Sequence, residues 1–211
     1  MKVLTVHDVA RYFLARQDPV TEQITPKKLQ KLVYLAHGYT LALLHRPLWD
    51  TEKIGARLTA WEQGPVVPDL WREYNKAQWR VLPIPSNVDF ESFDPALRAM
   101  MDEVLAKYGH LSADELANLT HHHDPYVSAW GKVEGAISKP LGFDLISEPE
   151  VAEYFTRMLS GTMDARHMTP KELSDALRAK PEWADEDARA AAEVAAGQGM
   201  SLGELRRFLD L

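Results

Sequence analysis

Three consecutive histidines and a carboxylate, His121-His122-His123-Asp124, are the residues of this chain whose types could hold a metal ion. Imidazole and carboxylate are both good ligands, and a bound ion would support metal-dependent enzyme chemistry at the His121–His123 segment. The spacing argues against it. Ligands that converge on one tetrahedral ion commonly sit one helical turn apart, so that they project from one face. Adjacent side chains diverge, and this run precedes Pro125 in what reads as a loop. A hydrogen-bonding turn, with Asp124 capping the helix at Pro125, accounts for the same residues. No metal site and no cofactor are therefore expected.

Other chemistry is scarce. No nucleophile elbow, phosphate-binding loop or dinucleotide glycine pattern occurs. Gly197 and Gly199 follow an alanine-rich run and read as a helix stop. The absence of cysteine excludes disulfides, thiolate metal sites and cysteine nucleophiles. Carboxylates are plentiful, but no spacing pairs two of them for acid–base work, so no catalytic residue is assigned and the chain is read as a non-enzyme.

The more unusual constellation is Trp61-Glu62-Gln63-Gly64-Pro65-Val66-Val67-Pro68 with Trp71 just beyond. Two prolines stiffen this connection. It reads either as a rigid corner or as a preordered loop that presents Trp61, Val66 and Trp71 to a partner. Tryptophan is a frequent interface anchor.

The elements that must position these residues are helical. Val6, Val9, Ala10, Phe13 and Leu14 make one stripe from Thr5 to Gln17. Thr25-Pro26 pairs a capping side chain with proline at the first helical position. Leu29, Leu32, Val33, Ala36 and Leu43 then line a helix that ends near His45, and Tyr34, Leu35 and Leu41 widen its face enough to make it central. Alternation from Ala56 to Trp61 predicts a short strand, and Trp79–Ile84 is a candidate second one. Residues 63–68 read as a loop. Asp69 opens a helix, Pro95 another, and Ser112 with Glu115 forms a capping box for a third. Ser147-Glu148-Pro149 and Thr169-Pro170 start two more. The fold class is mainly α: one compact helical domain with a short strand or small hairpin, and a C-terminal helical extension.

Ser160-Gly161-Thr162 marks the boundary, giving a domain over 1–160 and an extension over 161–211. The extension is rich in Ala, Glu and Arg. It ends in an amphipathic helix whose Leu205 and Phe208, with Leu202 and Leu209, form a second candidate docking face.

At 211 residues with a hydrophobic fraction of 45%, the chain can build a real core. A net charge of −7 disfavours nucleic acid as a partner, although Lys27, Lys28 and Lys31 are a candidate local basic patch. No stretch is apolar enough to span a bilayer, and the N-terminus lacks a signal-peptide pattern. A cytoplasmic location follows by default.

Several motifs, in order over about residues 5 to 135, resemble the Panacea (SocA-like) antitoxin family. They are Asp8-Val9-Ala10-Arg11-Tyr12-Phe13-Leu14, then Ile24-Thr25-Pro26-Lys27-Lys28-Leu29-Gln30-Lys31-Leu32-Val33-Tyr34-Leu35-Ala36-His37-Gly38, Pro47-Leu48-Trp49-Asp50, Ala60-Trp61 through Pro68-Asp69-Leu70-Trp71, and Leu116-Ala117-Asn118-Leu119-Thr120-His121 with Pro125-Tyr126 and Trp130. The motif positions are Leu29, Leu32, Tyr34, Trp61, Gly64, Pro65, Val66, Thr120 and His121, most of them expected to hold the fold. The resemblance implies a bacterial antitoxin, phage or mobile-element associated, that neutralises a protein toxin from a neighbouring gene by direct binding. A SocA-like adaptor that delivers a toxin to a protease is an alternative, as is a mobile-element transcriptional regulator. A homo-oligomer is compatible with any of these.

Overall fold

A computed structural model describes residues 3–21, 23–134, 145–159, 163–181 and 183. Helix starts are set by local chemistry. Helix α1 (Val6–Arg16) opens on a capping box: the Thr5 hydroxyl accepts from the Asp8 amide and the Asp8 carboxylate accepts from the Thr5 amide. In α2 (Pro26–Leu44) the Thr25 side chain accepts from the Lys28 amide, and Pro26 occupies the first turn, where its missing N–H costs nothing. Thr25→Ala should therefore cost about 1 kcal/mol. A urea melt should show this as a lower midpoint at unchanged slope.

Helix α2 buries 16 of its 19 residues, so it has almost no solvent face and forms the axle of the fold. After a left-handed His45 the chain passes through a 3-10 turn at Ile54–Ala56 into a hairpin. Strand β1 (Thr59–Trp61) pairs antiparallel with β2 (Gly64–Val66), in the register Thr59 with Val66, Ala60 with Pro65 and Trp61 with Gly64. The alternation read over 56–61 is thus realised in its last three residues. The expected loop over 63–68 instead supplies the second strand, because Gly64 at φ 98° lets the chain reverse within two residues. The candidate strand over 79–84 does not form: Leu82 bonds to single groups, its amide donating to the Ile24 carbonyl at 2.8 Å and its carbonyl accepting from Gln17 Nε2 at 3.1 Å, with no partner strand.

Helix α3 (Pro68–Tyr74) follows, with Asp69 in its first turn. Helices α4 (Pro95–Tyr108) and α5 (Ala113–His121) start at Asp94 and at the Ser112/Glu115 capping box. Helix α6 spans Asp124–Glu134, α7 Glu148–Met158 and α8 Pro170–Arg178. The fold is mainly α, with eight α-helices and a single two-stranded sheet among the described residues.

Helices α7, α5 and α4 surround α2. Phe155 of α7 packs edge-on against Tyr34 and Tyr39 of α2, at centroid distances of 5.7 and 4.6 Å, over the gap left by Gly38. Helix α8, in the stretch expected to form an extension, lies on α4. Leu173 and Leu177 are buried there, Arg178 pairs with the Glu103 carboxylate at 2.7 Å, and Trp183 packs on Tyr39 at 4.8 Å. No helix among the described residues is long and apolar enough to cross a membrane.

Candidate functional site

Buried polar groups on α2 hold the hairpin in place. The Gln30 amide makes two bonds to one residue: its Oε1 accepts from the Val67 amide at 2.8 Å, and its Nε2 donates to the Val67 carbonyl at 3.4 Å. Lys31 Nζ donates to the Pro65 carbonyl at 3.0 Å. Lys28 Nζ donates to the Gly109 carbonyl at the end of α4, at 2.5 Å. The basic patch expected from Lys27, Lys28 and Lys31 is therefore not a surface patch. Lys28 and Lys31 are only 4% and 1% exposed, because α2 has no outer face on which to place them.

This strapping leaves a groove of about 350 Å³ between the N-terminal turns of α2, the hairpin and α3. Trp61 of β1, Val66 of β2 and Trp71 of α3 all line it, so the structure brings together the three residues singled out near the hairpin. The two indoles meet edge to face, with centroids 5.2 Å apart. Trp71 is 44% exposed, whereas Val66 is buried. Tyr126 fixes the strand by donating to the Trp61 carbonyl at 2.9 Å. The other wall carries Lys27, Gln30 and Lys31.

The remaining motif positions sort by burial. Leu29, Leu32 and Tyr34 are core residues of α2. Gly64, Pro65 and Thr120 meet beneath the groove, and a Cβ at Gly64 would lie 2.6 Å from Lys31 Nζ and 3.2 Å from the Thr120 hydroxyl. Leu205 and Phe208 lie outside the described residues.

The loop expected over the histidine run is shorter than the sequence suggests, with only His122 and His123 between two helices. Thr120 and His121 complete α5, and α6 begins at Asp124. The three imidazoles diverge. His121 packs against Tyr126 at 5.0 Å. His122 is exposed and donates from Nδ1 to the Asn118 carbonyl at 2.8 Å. His123 turns into the core, hydrogen-bonded to the Tyr34 hydroxyl at 3.1 Å and packed on Tyr154. Burial, then the charges of Lys31 and Lys27, pull the His121 pKa down to about 4. Burial pulls that of His123 to about 3. Among the described residues no group of three or more His, Asp or Glu is placed to hold a metal ion.

Gln30 is the site residue the sequence does not single out, and Lys31 enters there only as part of an expected surface patch. The available signal was the apolar run from Leu29 to Leu44, which leaves no solvent face and so forces nearby polar residues inward.

The geometry defines a helical domain with an aromatic groove beside a small hairpin. Residues 29–126, just under half of the chain, match the family model described as antitoxin SocA-like, Panacea domain. No curated protein and no solved structure matches the chain.

Proposed function

We propose that the protein is an antitoxin that neutralises a protein toxin by direct binding, without catalysis, and that the groove at the hairpin is its grip. The observation that carries this reading is the Trp61–Trp71 pair, held rigidly by buried bonds from α2 yet open to solvent through Trp71. Aromatic anchors on a preordered scaffold lose little entropy on binding. The family match supports the antitoxin class, and the net charge of −7 supports a protein rather than a nucleic acid as partner. On this reading residues 1–160 are the binding domain, 161–211 an extension whose start docks on α4, and the protein works in the cytoplasm.

The test is co-expression with the adjacent gene, scored by growth rescue and then by co-purification. Rescue with a stable complex is the expected result. Trp71→Ala should leave the fold intact, since the residue is half exposed, and weaken the complex by about thirtyfold or more. Rescue without a complex, lost in a protease-deficient host, would replace this reading with that of a proteolytic adaptor. A neighbouring product without toxicity would remove the paired-antitoxin reading for this locus.

A further inference from the structure

The fold buries the Lys31 ammonium and gives it no counter-charge among the described residues. It can donate three hydrogen bonds, and the one it forms is to the Pro65 carbonyl. Its Nζ fills the space that the missing side chain of Gly64 leaves, and the charged groups that act on it or are acted on by it are Lys27 and His121, neither of them an anion. Burial and Lys27 together draw its pKa well below the usual lysine range. A buried cation in this state is costly unless something pairs with it.

A second donor lies in the same wall. Trp61 Nε1 is buried and has no acceptor among the described residues, and an indole N–H can only donate. Both residues line the one groove, together with Lys27 and, as its sole acid, Glu62. Lys27 already pairs with Asp114 at 2.8 Å. Within an acidic chain, the groove carries two lysines against one carboxylate, and neither Lys31 nor Trp61 Nε1 has an anionic partner among the described residues.

Resting on the reading of this groove as the toxin's site, we infer that its occupant is an acidic side chain of the toxin, carried next to an apolar one. The carboxylate accepts from Lys31, a backbone carbonyl of the same segment accepts from Trp61, and the apolar neighbour packs on Val66 and Trp71. Away from water such a charge-assisted bond is strong and discriminates sharply against the neutral amide of the same shape.

The test uses the intact, isotopically labelled protein and two blocked dipeptides, acetyl-Leu-Asp-amide and acetyl-Leu-Asn-amide, at constant ionic strength. The readout is the indole resonance of Trp61 and the ε-carbon resonance of Lys31. The aspartate peptide should bind saturably, at least about tenfold tighter than the asparagine peptide. It should also raise the apparent pKa of Lys31, which the asparagine peptide should not. Lys31→Met keeps the volume of the stem, removes the buried amine and should erase the difference between the peptides. Equal binding of the two peptides, or no saturable shift with either, overturns the inference. If Lys31→Met does not fold, the wild-type comparison decides alone. The peptide experiment is independent of the toxin: a toxin complex that tolerates Trp71→Ala would sink the groove as the grip, whereas indifference to the carboxylate would sink only its assigned occupant.

Discussion

Gly64→Ala is expected to destabilise the protein by about 3 kcal/mol, the sum of a disfavoured backbone and an overfilled contact. Both parts are geometric. Gly64 has φ 98°, a region that residues with a Cβ rarely adopt. The position of its absent side chain is already taken, with Lys31 Nζ 2.6 Å away and the Thr120 hydroxyl 3.2 Å away. Neither neighbour yields easily. Lys31 is 1% exposed and tied to the Pro65 carbonyl, and Thr120 bonds back to the Leu116 carbonyl at 2.9 Å. A control of opposite sign is available in the same chain. Gly131 lies in α6, is exposed, and has nothing within 4 Å of the position a Cβ would take. Gly131→Ala should therefore stabilise the protein by about 0.5–1 kcal/mol through helix propensity. Urea melts of the two variants measure the contrast. A Gly64→Ala loss under about 0.5 kcal/mol would mean that the hairpin turn is not held as described. Because Gly64 sits under the groove, the variant should also weaken the complex proposed to form there.

Helix starts were legible because each is decided within four residues. Thr25 with Pro26, Ser112 with Glu115 and Thr169 with Pro170 cap where the sequence places them, and the starts read from periodicity near Thr5 and from Pro95 are capped by Thr5 and Asp94. The hairpin was half legible. Alternation marks β1, but a three-residue β2 containing glycine and proline carries no period of two long enough to read. Trp79–Ile84 has strand-like residues and no strand, since pairing needs a partner that sequence alone does not supply. At the site, the residues whose chemistry is conspicuous, Trp61, Val66 and Trp71, could be named, and they line one groove. Lys31 could be named only as part of a surface patch, because a lysine reads as surface until the helix around it is known to have no surface. The same blindness turned Lys28 into part of a supposed basic patch. His121 reads as loop because Asp124-Pro125 signals a break, but α5 runs on through His121 and the break is confined to His122 and His123.

Acid should unfold this protein earlier than its carboxylates alone would require, and the cause is the histidines it buries. His37 and His123 are both fully buried and their pKa values are lowered, His123 to about 3. For His37 burial outweighs the opposing pull of Glu148, whose carboxylate lies 3.1 Å from Nε2. The unfolded chain binds protons at these positions near the ordinary histidine pKa of 6.5, and the folded chain does not. Stability is therefore complete above pH 6.5 and is lost as pH falls below it, down to each group's folded pKa. The slope is about 1.4 kcal/mol per pH unit for each such histidine. His121 adds to this with the same sign but less weight, being partly exposed. Carboxylates with lowered pKa values, Asp94 and Glu148 among them, add their share only below about pH 4 to 5. Urea melts at pH 8, 7, 6 and 5 should show a plateau and then a steep fall, with a larger loss between 6 and 5 than between 7 and 6. His123→Gln should flatten that fall by about one histidine's share. It should also lower stability at pH 8 by about 1 kcal/mol, through a poorer bond to Tyr34. Equal stability at pH 7 and pH 5 would show that these imidazoles are not held neutral in the fold. Retention of the wild-type slope in His123→Gln would place the titrating group elsewhere in the core.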